Sequence, residues 1–481
     1  GTLIVIDPIR TPTAARADIH LRPFPGTDSA LAFGLMNALK TAGKLDAAFI
    51  AANTVGFEEL ELLIDAWTPA RAAEATGISE ADIVRAAKAY GAGPSMIFLG
   101  QALCRAPTGG NAFRAAAMLP AVTGNIGKPG TGICFLNGKG TTRGLDMGYV
   151  GQESLRRGPT APVSHMDLRG HLEATPRDKA LILWNINIAA SNPDQKRLLA
   201  ALASDELFTV VADLFMTDSA RYADYVLPAA SFLEFDDLVG SYFHLTLGPQ
   251  SKAAEPMGEA LPNQDIFRRL AKAMGLTEPA LYEDDASILA HLLDAHGVTF
   301  ADLKAMGNLY PYADPVVLWE DFAFPTPSGK IEIASAAAAR DGHPRTAVPD
   351  PLARPRDGYL RLLTPADEWH MNSSYDNEPR IFERTERETL TLHPDDAAAR
   401  GLSDGAAARV WNDSAELSMR IAVDDKTPPG VGWAPKGRWP GRSPSGLNVN
   451  ALNPGLRSDM GDSTALHGVE VRVEVQAEAA D

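Results

Sequence analysis

Two aspartates, Asp7 and Asp213, each end a β-branched apolar run, and the residues around them repeat. The first run is Leu3-Ile4-Val5-Ile6-Asp7, continuing through Thr11, Thr13, Ala14, Ala17, Asp18 and Leu21. The second is Thr209-Val210-Val211-Ala212-Asp213, continuing through Thr217, Ser219, Ala220, Ala223, Asp224 and Leu227. The shared pattern, D-x3-T-x-[ST]-A-x2-A-D-x2-L, recurs at a constant offset of 206 without a gap, which sets Asp28 opposite Glu234. A carboxylate offers two acceptor oxygens, suited to the N1–H and N2–H2 edge of a guanine or to ribose hydroxyls. A buried parallel strand looks like this where its carboxyl end meets a ligand. Two copies imply two similar nucleotide-type sites. A duplication kept only for packing has no need of the Asp.

Other residues join these two. Four apolar runs end in small polar groups: Asp7, Gly100/Gln101, Asn185/Asn187 and Asp213. Taken singly, each is as well explained by a strand-end turn or a helix cap; together they favour ligand binding. Thr108-Gly109-Gly110-Asn111 follows a strand and precedes an apolar helix from Phe113 to Val122, so its N–H groups suit a phosphate or pterin, or simply start a helix. Trp369-His370-Met371-Asn372-Ser373-Ser374 gathers several donors, fitting either a ligand edge or a set of Asx and Ser turns. His244, His393 and His467 are isolated and read as structural. There is no G-x-G-x-x-G after a strand, no Ser-His-Asp elbow and no zinc signature, so a cofactor carries any hard chemistry.

The elements that position these groups fall into three segments. Residues 1–172 alternate strands and helices. One helix is capped by Ser79-Glu80-Ala81-Asp82, repeats Ile83, Ala86, Ala87 and Tyr90, and ends at Gly91 as C′ residue. The strand Met96–Leu99 follows it. Thr123 to Gly148, with Gly124, Gly127, Gly130, Gly132, Gly138, Gly140 and Gly144, reads as a long irregular loop. Residues 173–350 restart the alternation with strands Ala180–Trp184, Thr209–Asp213 and Tyr225–Leu227, and Pro349 to Pro355 is a linker. Residues 356–481 carry short β runs separated by turns, a compact barrel, with a short helix begun by His393-Pro394. The fold class is therefore α/β: two Rossmann-like parallel-sheet domains followed by a C-terminal β-barrel.

Bulk properties narrow the function. With 44 basic and 61 acidic residues the net charge is −17, which argues against nucleic acid as a partner. No apolar run of about 18 residues exists to span a membrane, and no signal peptide is visible, so the cytoplasm is the expected location. Cys104 and Cys134 are the only cysteines, too few for an iron–sulfur cluster, structural zinc or disulfide framework, and read as buried hydrophobes. The chain starts at Gly1 and enters a core strand at once, as a fragment, processed chain or excised piece would.

A set of segments in order resembles a known family: Ile4-Val5-Ile6-Asp7-Pro8 with Thr11; Pro25-Gly26-Thr27-Asp28; Thr123-Gly124-Asn125-Ile126-Gly127-Lys128-Pro129-Gly130; Asp213-Leu214-Phe215-Met216-Thr217 with Ala223-Asp224; Leu227-Pro228; Leu392-His393-Pro394-Asp395-Asp396-Ala397; and Val449-Asn450-Ala451-Leu452. The chain resembles, over essentially its whole length, the molybdopterin-dependent oxidoreductases of the dimethyl-sulfoxide-reductase and formate-dehydrogenase group. The resemblance implies a molybdenum or tungsten bis-molybdopterin guanine dinucleotide cofactor and a barrel of double-psi type. It implies that Asp7 and Asp28 serve one guanosine, and Asn185, Asn187 and Asp213 the other. Gln101, Gly110, Asn111, His370, Asn372, Ser373, Ser374 and Asn450 would line pterin or phosphate. It also implies that the family's 4Fe–4S cluster and the loop with the metal's side-chain ligand lie upstream of Gly1. These 481 residues would then be about the last two thirds of an enzyme, inactive alone, with no metal ligand of their own and with the catalytic residues unassigned. Partners would be the missing N-terminal segment or an electron-transfer subunit, and a small-molecule substrate. A homologue that keeps the fold without the metal is the competing reading.

Overall fold

A computed structural model describes residues 1–136, 144–156, 158, 161–174, 179–385 and 388–476; Gly138 and Gly140 of the glycine-rich stretch lie outside them. The chain packs as two compact units. The first holds residues 1–134, 190–198 and 317–481; the second holds 135–189 and 199–316. This differs from the expected division at 172 and 350. The barrel segment joins the N-terminal α/β region because long-range bonds tie them: Arg10 N donates to the Lys426 carbonyl at 3.1 Å and Asp459 N to the Pro107 carbonyl at 2.8 Å. Residues 144–174 join the second unit, where Tyr149 stacks on His291 with ring centroids 3.6 Å apart.

In the first unit the strands are β1 (Ile4–Ile6), β2 (Ile19–Leu21), β3 (Thr54–Val55), β4 (Met96–Phe98) and β5 (Gly132–Cys134). The second unit contributes β6 (Ala180–Trp184), β7 (Phe208–Asp213), β8 (Tyr225–Pro228), β9 (Asp237–Val239) and β10 (Gly248–Gln250). The first unit resumes with β11 (Ile331–Glu332), then β12 (Leu360–Leu363), β13 (Thr389–Leu392), β14 (Ala407–Trp411), β15 (Glu416–Val423), β16 (Val431–Trp433) and β17 (Glu470–Val475). In the first unit's α/β part the parallel sheet appears as three two-stranded ladders, β1–β2, β4–β5 and β3–β11. The second unit's β6-β7-β8 is one continuous parallel sheet.

The helix Asp28–Thr41 is apolar on nearly every face, with Leu31, Phe33, Met36 and Leu39 at most 2% exposed. A helix apolar all round belongs in the middle of a core, and this one packs against the helices Pro69–Thr76, Glu80–Tyr90 and Gly109–Thr123. The helix Glu80–Tyr90 forms where Ser79 and the apolar spacing place it, Ser79 Oγ accepting from Asp82 N at 3.1 Å. Gly91 is not the left-handed C′ residue expected: its φ is −80°. Glycine is needed there for room, since a Cβ would stand 2.7 Å from Leu39 Cδ2. The glycine-rich stretch is less irregular than expected, because Gly132–Cys134 is strand β5, paired in parallel with β4.

The barrel is closed, in the order β12-β16-β13-β15-β14-β17, with β17 returning to β12. Its ladders mix directions: β12–β16 and β13–β15 are parallel, the rest antiparallel. Alternation explains the closure. Along β15, Leu417, Met419 and Ile421 point into the core while Glu416, Ser418 and Arg420 face water. His393 caps the short helix Pro394–Ala398, its Nδ1 accepting from Asp395 N at 3.2 Å. No helix among the described residues is long and apolar enough to cross a membrane.

Candidate functional site

The sequence repeat is a structural repeat, bond for bond. In the first copy β1 pairs with β2, Ile4 opposite Ile19; in the second β7 pairs with β8, Val210 opposite Tyr225, each shifted by the same offset. Asp18 accepts from Leu3 N at 2.8 Å, and Asp224 from Thr209 N at 2.7 Å. Thr11 Oγ1 accepts from Ala14 N and Thr217 Oγ1 from Ala220 N, both at 3.2 Å. At the strand mouths Asp7 Oδ1 accepts from Ile9 N at 2.8 Å, and Asp213 Oδ1 from Phe215 N at 3.3 Å. One oxygen of each strand-end carboxylate thus holds the turn, and no side chain among the described residues donates to the other. Both carboxyls are held above the usual range by burial, which the turn's N–H only partly opposes.

In the first unit this strand mouth opens into a cavity of about 1140 Å³. Its polar end is lined by Asp7, Arg10, Thr11, Asp28, Asp424 and Lys426, with His467 on the wall; Leu3, Ile6, Met96 and Phe98 border its apolar part. Asp28 begins the helix Asp28–Thr41, half-buried, and its pKa is pushed up to about 6, first by burial and further by the charge of Asp7. A carboxylate poised near neutrality beside a second one favours a ligand that brings N–H donors to both.

In the second unit, β6 adds two side chains beside Asp213. Asn185 is exposed, in the left-handed region at φ 51°, and its N–H donates to the Ala212 carbonyl at 2.9 Å. Asn187 is buried, and its Oδ1 accepts from Ser219 N and Ser219 Oγ at 3.1 and 2.9 Å, fixing the turn after β7. A separate cavity of about 790 Å³ in this unit is walled by Glu234, Asp236, Glu255, Asp265 and Asp285. That acidic wall repels phosphate, and Asp213 does not border it.

The remaining expected site residues are engaged differently. Gln101 is exposed and does not border the cavity, although Gly100 and Ala102 do. The helix Gly109–Thr123 does not present open N–H groups as expected: Asp459 takes both, from Gly110 N at 2.7 Å and Asn111 N at 3.0 Å. Gly110 is glycine because a Cβ would lie 2.4 Å from Met460 Cβ. The buried Asn111 amide is spent on Val348, donating to its carbonyl at 2.7 Å and accepting from its N–H at 3.0 Å. His370 is wedged between carboxylates, Nδ1 2.9 Å from Asp367 and Nε2 3.3 Å from Asp376. Asp376 also receives Arg438 and Trp439 N. Asn372 turns the chain at φ 55°, Ser373 accepts the Trp439 indole through its carbonyl at 2.6 Å, and Ser374 N donates to the Met371 carbonyl at 3.0 Å. Asn450 is buried and donates to the Ala190 carbonyl at 2.8 Å. These residues act here as framework. Among the described residues no group of three His, Cys, Asp or Glu is arranged to hold a metal, and Cys104 and Cys134 are unlinked and half-buried.

One residue that the sequence read as structural, His467, stands on the cavity wall, its Nδ1 buried. It lies more than 350 residues beyond Gly100, Ala102 and Leu103, which line the same cavity, so only the fold brings it there.

A profile described as Molybdopterin oxidoreductase matches residues 2–273, and one described as Molydopterin dinucleotide binding domain matches residues 360–470. The chain is 33% identical over 479 residues to a Bacillus subtilis protein named Probable oxidoreductase YoaE, covering 98% of this chain and 70% of that one. It is 28% identical to the F420-dependent formate dehydrogenase subunit alpha of Methanocaldococcus jannaschii, covering 90% of this chain and 67% of that one. Its fold is similar to that of acetylene hydratase from Pelobacter acetylenicus, with a TM-score of 0.80 at 22% identity over 99% of this chain and 74% of the other.

Proposed function

Since the chain belongs to the molybdopterin oxidoreductase family, we propose that it binds a molybdenum or tungsten bis-molybdopterin guanine dinucleotide, one guanosine at each copy of the strand repeat. When bound, that group supplies two-electron redox chemistry to a small-molecule substrate. Asp7 and Asp28 receive the N–H edge or ribose of one guanosine, and Asn185 and Asp213 those of the other, with Asn187 holding the turn beside them. The observation that carries this reading is the repeat itself: two identical turn frameworks, each leaving one carboxylate oxygen available at a strand mouth. The fit on the first-unit side is a half-buried pair of carboxylates in a cavity of about 1140 Å³, large enough for a nucleotide.

Gln101, Gly110, Asn111, His370, Asn372, Ser373, Ser374 and Asn450 enter this proposal as the framework around the pterins. An electron-transfer subunit is the proposed protein partner, by likeness to a relative that is itself named as a subunit. The cluster and metal ligand expected upstream of Gly1 belong to this proposal only as parts the holoenzyme would bring. The expectation that these residues are inactive alone gains no support from the likenesses and is not carried forward.

The test is release of nucleotide and metal from the longest natural form produced in a cofactor-replete host. About two GMP per chain after mild acid hydrolysis, with molybdenum or tungsten by elemental analysis, is the expected result. Absence of both overturns the enzyme reading in favour of a structural homologue.

A further inference from the structure

We infer that the apolar part of the first-unit cavity is a docking slot for one parallel β-strand of a partner polypeptide. The strand inserts between β1 and β4 and joins them into a single sheet. The inference stands apart from the nucleotide reading, which uses only the polar end of that cavity.

Both strands have one open edge: among the described strands β1 pairs only with β2, and β4 only with β5. The Leu3 carbonyl accepts from Ile19 N at 3.2 Å, and Asp7 N donates to the Leu21 carbonyl at 3.1 Å. In the alternating pattern of a parallel ladder, Ile4 and Ile6 therefore turn their N–H and C=O groups to the other edge. Leu99 N donates to the Cys134 carbonyl at 2.9 Å, which turns those of Met96 away from β5 in the same manner. The cavity lies on these open sides. Leu3, Ile4 and Ile6 border it, as do Met96, Ile97 and Phe98, whereas no residue of β5 and only Leu21 of β2 does. Met96 and Phe98 are 56% and 59% exposed. Parallel strands are ordinarily buried, and an apolar edge left open is a template for another strand. At about 1140 Å³ the cavity also exceeds the roughly 300–1,000 Å³ of a small-ligand pocket.

The second copy of the repeat shows what fits. There β7 and β8 correspond to β1 and β2, and the edge of β7 that matches the open edge of β1 holds β6 in parallel. The five residues of β6, Ala180-Leu181-Ile182-Leu183-Trp184, lie opposite Phe208, Thr209, Val210, Val211 and Ala212. Asn185 N then closes the ladder on the Ala212 carbonyl at 2.9 Å. Shifted by the offset of the repeat, an incoming strand lies opposite residues 2–6, and the N–H after its fifth residue donates to the Ile6 carbonyl. The occupant is therefore an apolar segment of about five residues followed by a small polar one, running parallel to β1. Main-chain hydrogen bonds hold such an added strand, and its alternate side chains meet the pockets. Leu35, Leu39, Tyr90 and Leu119 of the packed helices supply the apolar wall that those side chains cover. Unlike an ordinary edge addition, this strand is bonded on both sides, its odd-numbered amides turned to β4 and its even-numbered ones to β1.

The experiment uses the full 481-residue chain and a synthetic peptide with the sequence of residues 180–185, made soluble by an N-terminal lysine tail. Binding is followed by anisotropy of the labelled peptide and by amide hydrogen exchange. Docking should slow exchange at Ile4, Ile6 and Met96 by about tenfold or more, as new ladder bonds imply. N-methylation of the third peptide amide removes a donor to β4, and of the fourth a donor to β1; each should weaken binding roughly tenfold. Phe98→Lys sets a charge at an exposed position of the slot and should weaken binding to a similar extent, with the urea midpoint of the chain unchanged. Asp28→Asn, which tests the nucleotide reading, should leave peptide affinity unchanged, so the two readings fail separately. Absence of peptide binding, or protection of only one of the two strands, overturns the insertion. Protection of both strands that appears without peptide and grows with protein concentration overturns the partner and assigns the slot to a second copy of this chain.

Discussion

The two copies of the strand repeat share their backbone framework and differ in what the second acidic position does. In the first copy Asp28 heads a buried helix beside Asp7, and burial pushes its pKa up to about 6. In the second, Glu234 is consumed by its own turn, Oε2 accepting from Ser231 N at 2.6 Å and Oε1 from Met257 N at 3.0 Å. The neighbouring polar groups differ too: the second copy has β6 alongside, with Asn185 and Asn187, while β1 pairs only with β2 among the described strands. The lesson is that a duplicated scaffold preserves the hydrogen bonds that make the turn. The side chains left over from the turn are free to specialise. Asp7 and Asp213 do both jobs, one oxygen for each.

That comparison can be broken most sharply at the shared aspartates. Asp7→Ala and Asp213→Ala should each reduce guanine-nucleotide retention by roughly 10- to 150-fold, the worth of a charge-assisted pair at about 1.5–3 kcal/mol. Nucleotide counted after acid release should fall from two per chain toward one in each variant. Full retention in either would show that copy to be only a turn.

The next effect is smaller and separates Asp28 from Glu234. The carboxylate of Asp28 is the form that accepts N–H donors, so guanosine binding at the first copy should strengthen as pH rises through about 6. That amounts to roughly tenfold between pH 5 and pH 7, measured by calorimetry. Stability runs the other way. The raised pKa means the folded state keeps a proton that the unfolded chain releases, so ligand-free stability is full below about pH 4 and declines as pH climbs through 6. Asp28→Asn should flatten both profiles. Glu234→Gln should flatten neither, and should instead cost about 1–2 kcal/mol in urea unfolding by removing one backbone acceptor.

The smallest effect tests the framework bonds themselves. Asp224→Ala leaves the N–H of the fully buried Thr209 unpaired and should cost about 1–2 kcal/mol. Asp18→Ala acts on the exposed N–H of Leu3, which water can satisfy, and should cost under about 1 kcal/mol. Equal losses in chemical denaturation would show that the copies are equally buried at this bond.

Features written in local pattern were legible from the sequence. The constant offset forecast two like strands and both strand-mouth carboxylates, because each bond in the repeat spans at most 15 residues. The short β runs separated by turns beyond residue 356 forecast the barrel, and Ser79 with Asp82 forecast a helix start. Features completed by distant chain were not legible. Gly110 and Asn111 looked like a ligand cradle because their partner, Asp459, lies in the barrel segment. His370 looked like a donor on offer because Arg438 and Trp439, which organise Asp376 around it, are more than 60 residues on. His467 carried no local signal; it looks ordinary until its turn packs on the turn after β4 at the cavity wall.

The Asp459 clamp on the helix Gly109–Thr123 sets an order of events during synthesis. The bond to Gly110 joins residues 349 apart. At about 10 residues per second a ribosome needs on the order of half a minute to make the residues that cap this helix. Until then its first N–H groups face water and the helix N-terminus frays. The helix Asp28–Thr41 packs on it, so the first α/β region waits with a loosened core for the barrel that finishes it. This places the slow step of folding at barrel docking, where loop closure over several hundred residues must precede the contacts that reward it.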